Sequence, residues 1–502
     1  MDFPFILKQF SEHHEVADWS SQRRLHACLR HAIQQGILSA GLRLPASRRL
    51  AQELNIARNT VVFAYEQLIS EGFLLADRRG TMVNPLSAHL AVVTNPVANP
   101  TKQMSADFAD NSVEQASLAR RAQDIMPWPV ESDLTSGFAP GVPSLLDFPV
   151  AIWRRLLDKT WRNLPRAKLG YASPLGELDL RVAIADYLRA SRGVACTAEQ
   201  VIITDGTQSS LNLCAQAFAD TQQKVWIENP GYIGAQIAFR AAQLNIIGIP
   251  IDESGIAPSQ RDWTLHTPTL IYVTPSHQYP TGGVLTLARR LELIAQAQAH
   301  GALIIEDDYD SEFRHDGPPL PAMQGLFPDA PVLYLGTFSK TMFPAMRIAY
   351  MIVPKNRIIA LKNLISKSHL RGRSADQLCL AQFIQNDYFS QHLRRTRRLY
   401  RQRRDTLIAL VQTHLPDVVS VHGASAGMHL AIRFLDDTID DQQVSRSALQ
   451  QNIVAPALSA HAIGKRKQSW SGLMLGYAQV DSQDMAILVR RLAKIIEQHR
   501  NA

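Results

Sequence analysis

The chain has 502 residues, 46% hydrophobic and 19% charged, with a formal net charge of +7. That length exceeds what one core usually supports, and the composition excludes wholesale disorder. Its four cysteines (Cys28, Cys196, Cys214 and Cys379) form no CxxC pair, which argues for a reducing compartment and against a disulfide framework or zinc site.

The start, MDFPFILKQF, lacks the basic-then-apolar pattern of a signal peptide. No stretch approaches the roughly 18 apolar residues of a membrane span. The expected location is the cytosol, with no membrane partner.

From Ser20 to Asn84 there are nine Arg, no Lys and four acids, so most of the excess charge sits in a small part of the chain. Leu25, Leu29 and Ile33 recur every fourth residue and predict an amphipathic helix, which Gly36 ends. Next comes GLRLPASRRLAQELNIARNTVVFAYEQLISEGFLLADRRGTMV. It predicts a helix capped by Ser47 and a turn at Asn55 and Ile56. A second helix follows, with Val61, Tyr65 and Leu68 inward and Arg58, Asn59 and Thr60 at its exposed start. A two-stranded wing closes the segment, with Arg78, Arg79 and Gly80 at its tip. A recognition helix that enters the major groove by its N-terminal residues needs this arrangement.

The segment resembles the GntR-type winged helix, whose hallmark is LP-S/A-x-R-x-LA followed by R-x-TV-x-x-AY-x-x-L-x-x-EG. The resemblance covers about 65 residues. It implies contact with double-stranded promoter DNA through Arg48, Arg58, Asn59, Thr60, Arg79 and Gly80. The expected winged helix-turn-helix domain spans residues 1–84.

Residues 85–130 are polar and broken by prolines, without sustained periodicity, and read as a linker. From 131 to 502, β-branched runs alternate with helical stretches: 200–204, 224–228, 269–274, 301–307, 331–336 and 347–353. That alternation predicts an α/β domain with a mostly parallel sheet.

Several strand ends carry residues suited to chemistry. In YLGTFSKTMFPAMRIAY, Lys340 follows Ser339 in a tight turn after a strand. A desolvated lysine amine can condense with an aldehyde, and Arg347 can reach back toward a phosphate. Asp307 and Tyr309 in LIIEDDYDSEFR share one face of a strand end. Gly206, Thr207 and Gln208 lie between a strand and a helix, where backbone N–H groups attract phosphate. Tyr232 is placed to stack on a flat ring. TPSHQYPTGGVL adds His277, Gln278 and Tyr279.

Together these segments resemble pyridoxal-phosphate (PLP) proteins of fold type I, class I aminotransferase group, across nearly all of 131–502. DDYDSEFR, PSHQYPTG and GTFSKTMFPAMR are most similar to the MocR subgroup of GntR regulators, in which such a domain is fused to a winged helix. The resemblance implies Lys340 as the internal aldimine lysine, Asp307 on the ring nitrogen, Tyr309 on O3′ and Tyr232 stacking. It gives the phosphate to Gly206, Thr207, Gln208, Ser339 and Arg347. It also implies a domain-swapped homodimer in which Tyr171 reaches the neighbour's phosphate site, and a smaller C-terminal α+β subdomain. No metal is implied.

Two departures bear on function. Tyr279 stands where aminotransferases commonly place Asn, leaving His277 or Gln278 as substitutes. Ala460 stands near the expected carboxylate-binding Arg, with Lys465 and Arg466 as distant compensators. The sequence therefore favours a DNA-binding regulator that senses PLP or a small amine or amino acid over a working aminotransferase with a DNA-binding appendage. A last feature, HLRRTRRLYRQRRDTL, holds seven Arg between 394 and 404. It reads as a basic helix: a solvated face, or an auxiliary DNA surface.

Overall fold

The structure is a computed structural model and describes residues 1–14, 16, 18–87, 119, 137–317, 320–368, 372–464 and 470–500. Two compact units divide the chain, Met1–Gln115 and Ala116–Ala502.

The first unit holds α1 (Phe3–His13), α2 (Ser21–Gln34), α3 (Ser47–Glu53), α4 (Arg58–Ser70), β1 (Leu74–Asp77) and β2 (Gly80–Val83). Leu25, Leu29, Ile33, Leu50, Val61, Leu68, Leu74 and Val83 are each at most 2% exposed and form one core. Each such aliphatic side chain contributes roughly 2 kcal/mol by burial. Asn55, at φ 51°, turns the chain between α3 and α4. The Tyr65 hydroxyl donates to Pro45 O at 2.9 Å, fastening α4 to the turn ahead of α3. Two expectations are corrected here. Ser47 is the first helical residue rather than the cap, which is Ala46 with no side-chain bond. Thr60 lies at 7% exposure, not on the open start of α4, because the helix begins at Arg58 and its third residue already turns inward.

In the second unit, helices α5 (Val150–Arg162), α6 (Leu178–Arg192), α7 (Thr207–Phe218), α8 (Ile233–Ala241), α9 (Gln260–Leu265) and α10 (Leu287–Ala299) alternate with strands. The strands are β3 (Val201–Thr204), β4 (Lys224–Asn229), β5 (Asn245–Asp252), β6 (Gly255–Ile256), β7 (Leu270–Val273), β8 (Leu303–Asp308), β9 (Val332–Thr337) and β10 (Ala349–Ile352). They form one sheet in the order β3-β10-β9-β8-β7-β4-β5-β6. The β9-β8-β7-β4-β5 stretch is parallel. β10 runs antiparallel to β3 and β9, and β6 to β5. Strands buried on both faces, such as VIIT, LIYV and VLYLGT, need the helical cover that the alternation predicts.

After α11 (Ile358–Ser368) and α12 (Ser374–Gln385), the 27-residue α13 (Tyr388–His414) leads to an antiparallel sheet. That sheet comprises β11 (Val419–His422), β12 (His429–Phe434) and β13 (Gly472–Gly476), with α14 (Asp441–Leu449) and α15 (Ser482–Arg500). Four arginines of the basic run on α13 are structural, while Arg394, Arg395 and Arg398 are exposed. Arg397 donates to Glu312 O at 2.8 Å, Arg401 to His315 O, and Arg403 to Ala478 O. Arg404 bonds Ala424 O and the Asp316 carboxylate. Guanidinium groups that close orphan carbonyls are not free for phosphate.

Among the described residues, no helix is long and apolar enough to cross a membrane. The four cysteines are buried and unpaired.

Candidate functional site

Ligands in parallel α/β sheets sit beyond the carboxyl ends of the strands. Here those ends deliver Gly206 and Thr207 after β3, Tyr232 after β4, His277 to Tyr279 after β7, Asp307 to Asp310 at the end of β8, and Ser339 and Lys340 after β9.

The acid run at the end of β8 splits by strand alternation. Glu306 accepts from the backbone N–H of Met323 (2.9 Å) and Gln324 (3.0 Å). Asp308 accepts from buried Arg192 at 2.8 Å and from the Tyr334 hydroxyl at 2.6 Å. Asp307 faces the other way. Its Oδ2 accepts from the Tyr272 hydroxyl at 2.7 Å, and its buried Oδ1 has no protein partner. Burial pushes its carboxyl up to about 7, against the Tyr272 bond and the Lys340 charge, which lower it.

The Lys340 amine donates to Gly141 O at 2.8 Å. Burial lowers its pKa below the ordinary lysine range, opposed by Asp310 and Asp307. The turn that carries it is held from outside by His392 on α13, whose Nε2 contacts Thr341 O at 2.9 Å.

Gly206, at φ +93°, brings the backbone against Arg347: a Cβ there would lie 2.8 Å from the guanidinium. Arg347 donates to Asp205 O at 2.9 Å. Thr207 opens the 12-residue α7, whose free N–H groups and dipole favour an anion. Ser339 Oγ is buried without a partner. Gln208 instead donates to Gly234 O at 3.1 Å.

Tyr232 lies near-parallel to Tyr272, 6.4 Å between centroids, and edge-on to Tyr279 at 5.3 Å. Burial lifts its phenol to about 12. The Tyr309 hydroxyl donates to His277 O at 3.0 Å. Gln278 is consumed by its own loop and the one after β4: Nε2 donates to Tyr279 O and Pro230 O, while Oε1 accepts from Thr281. It has nothing left for a ligand, so of the two substitutes considered for the missing Asn only His277 keeps an open ring nitrogen.

Tyr171 is 89% exposed. Ala460 is exposed as well, and its neighbour His461 is the buried one, held neutral with a pKa near 4 by burial. Lys465 and Arg466 lie outside the described residues, as does most of the 85–130 segment. The sequence reading missed Tyr272. The signal was a tyrosine amid the aliphatic residues of LIYV, a polar tip that must find a partner when buried.

This donor set fits PLP. An amine that readily loses its proton, an unfilled carboxylate oxygen, a phenol and a glycine–arginine–helix cradle are what that cofactor asks of its host.

On the first unit, Arg48, Arg58, Asn59, Arg79 and Gly80 are exposed. Arg43 instead makes a two-pronged contact with Asp77 (3.0 and 2.7 Å), which holds the wing strand.

Comparison with known proteins agrees with both halves. Residues 21–83 match the family "Bacterial regulatory proteins, gntR family", and residues 138–492 match "Aminotransferase class I and II". The chain is 37% identical over 472 residues to the probable rhizopine catabolism regulatory protein MocR of Rhizobium meliloti, covering 93% of this chain and 92% of the relative. It is 32% identical to the pyridoxine biosynthesis transcriptional regulator PdxR of Corynebacterium glutamicum, covering 93% and 94%. Among solved structures it resembles a kynurenine aminotransferase from Pyrococcus horikoshii, with TM-score 0.71, 24% identity, and coverage of 78% of this chain and 99% of that one. LysN, the alpha-aminoadipate aminotransferase of Thermus thermophilus, gives TM-score 0.68 at 25% identity, covering 76% and 98%.

Proposed function

Since the chain belongs to the MocR-type group of GntR-family transcriptional regulators, we propose that it binds PLP through Lys340 and that this state, or an amine arriving at it, sets how its winged helices hold an operator. The observation that carries the reading is the pairing, in one pocket, of an amine with a depressed pKa and a buried carboxylate oxygen without a partner.

Lys340 would supply the nucleophilic amine. Asp307, aligned by Tyr272, would hold a proton on the ring nitrogen. Tyr232 would cover the ring, and Tyr309 would face O3′. Gly206, Thr207, Ser339 and Arg347 would take the phosphate, with Gln208 steadying the helix start from Gly234 O. When bound, the cofactor supplies an electrophilic aldehyde that exchanges one amine for another. In the reader, Arg58 and Asn59 would meet base edges. Arg48, Arg79 and Gly80 would meet the backbone and minor groove, and Thr60 would support the helix from within.

We place the protein in the bacterial cytosol as a domain-swapped homodimer, with Tyr171 of each subunit serving the other's phosphate site. Its exposure within one chain supports that assignment. A two-fold dimer would offer two heads to two half-sites. For the pocket to act as a switch, its ligand must prefer one arrangement of those heads.

The test is to titrate the purified chain with PLP, reduce with borohydride and map the added mass. In parallel, binding to DNA from upstream of its own gene is followed by anisotropy with and without the cofactor. Label on Lys340 with altered DNA affinity is expected. Steady turnover of an amino donor and a keto acid with no change in DNA binding would overturn the reading.

A further inference from the structure

A second cluster lies beside the Lys340 pocket and shares His277 with it. His277 follows β7, Asp310 follows β8, and His429 begins β12 in the C-terminal subdomain. All three are at most 1% exposed. One ligand atom from each lies within 4.8 Å of the other two.

Each side chain is held by one polar atom and leaves another open. His429 Nε2 contacts Pro280 O at 3.3 Å, and its Nδ1 has no partner. His277 Nδ1 lies 3.0 Å from Asp310 Oδ2, while His277 Nε2 and Asp310 Oδ1 have no partner. The Tyr309 hydroxyl also lies 3.1 Å from His277 Nδ1. Buried polar atoms are rarely left without a bond, and here each of three clustered side chains keeps one. The backbone packs closely on the His277 ring: a Cβ on Gly427 would collide with it and with Asp310 Oδ2, so glycine there lets the ring and the carboxylate sit side by side.

We propose that His277, Asp310 and His429 bind a divalent transition metal ion, with Zn2+ the best match. Two imidazoles and one carboxylate suit a borderline ion rather than Mg2+ or Ca2+. Three protein ligands leave a coordination position for water or an effector atom. A carbonyl on the far nitrogen of His429 is the outer contact that fixes a ligating tautomer. The ion would pin the C-terminal subdomain, through His429, to the loops that end β7 and β8. The proposal does not depend on the cofactor reading.

The experiment uses the full chain, stripped with EDTA and free of vitamin B6, titrated with Zn2+ by calorimetry and with Co2+ by visible absorption. About one ion per chain is expected, with Co2+ bands of four- or five-coordinate geometry. His429→Ala and Asp310→Asn should each weaken Zn2+ by more than about 100-fold, beyond the loss of an outer contact. His300→Ala, remote from the cluster, should change nothing. If the cluster variants do not fold, X-ray absorption of the Zn2+-loaded wild type must show two imidazoles. No uptake by wild type, six-coordinate hydrated Co2+, or undiminished binding in folded His429→Ala and Asp310→Asn overturns the proposal.

Discussion

The hydroxyl of Tyr272 donates to one oxygen of Asp307 at 2.7 Å and leaves the other oxygen bare. The bond fixes the carboxylate's rotamer and partly offsets the burial that raises its pKa. Tyr272→Phe should therefore weaken PLP binding about tenfold, the value of one hydrogen bond to a charged group, about 1.5 kcal/mol. Asp307→Ala should weaken it further, since nothing then answers the ring nitrogen. Absorbance titration at constant pH measures both; equal affinity for Tyr272→Phe and wild type would remove the phenol from the site.

Lys340→Arg keeps positive charge near Asp307 and Asp310 but offers no amine that can lose its proton. Borohydride should then fix no cofactor to the chain. Because burial lowers the wild-type amine's pKa, its neutral fraction persists to lower pH than for a free lysine. The pH at which capture reaches half its maximal rate should accordingly fall below the ordinary lysine range. Stopped-flow absorbance across pH reads this directly, and a half-point at or above that range would contradict the desolvated environment.

Much of this was legible because function here is written in short strings at strand ends. Alternation alone places Asp307 and Tyr309 on one face, and the structure puts Glu306 and Asp308 on the other, paired with backbone and with Arg192. What sequence could not supply was pairing over distance. Tyr272 is 35 residues from Asp307, and His429 approaches His277 from another sheet. The basic run on α13 was left open for the same reason: the carbonyl partners of four of its arginines, at 312, 315, 424 and 478, lie on other elements. Thr60 was misplaced by counting the whole first turn of α4 as exposed, although one side of any first turn faces the core.

Arg58 opens the exposed start of α4, and Arg48 lies in the first turn of α3. If Arg58 reads a base edge, Arg58→Ala should cost about 1–3 kcal/mol on the operator and little on random DNA. If Arg48 meets phosphate, Arg48→Ala should weaken both alike and lower the salt dependence by about one counterion. Anisotropy at several salt concentrations separates them. Identical behaviour of the two variants would dissolve the distinction.

His392 offers a test of how firmly α13 holds the Lys340 turn. Its ring is 5% exposed, contacts Thr341 O, and is kept neutral by burial, with a pKa lowered to about 4. In the unfolded chain the same ring takes a proton near pH 6.5. As pH falls from about 6.5 toward 4, the unfolded state gains a proton the folded state refuses, so this residue's contribution to stability is lost on the acid side. His392→Gln can keep a donor to Thr341 O and has nothing to titrate. Relative to this variant, wild type should lose about 1 kcal/mol between pH 6.5 and 5.5, read from urea unfolding at each pH. A constant difference across that interval would mean the ring is solvated and α13 does not seal the turn behind Lys340.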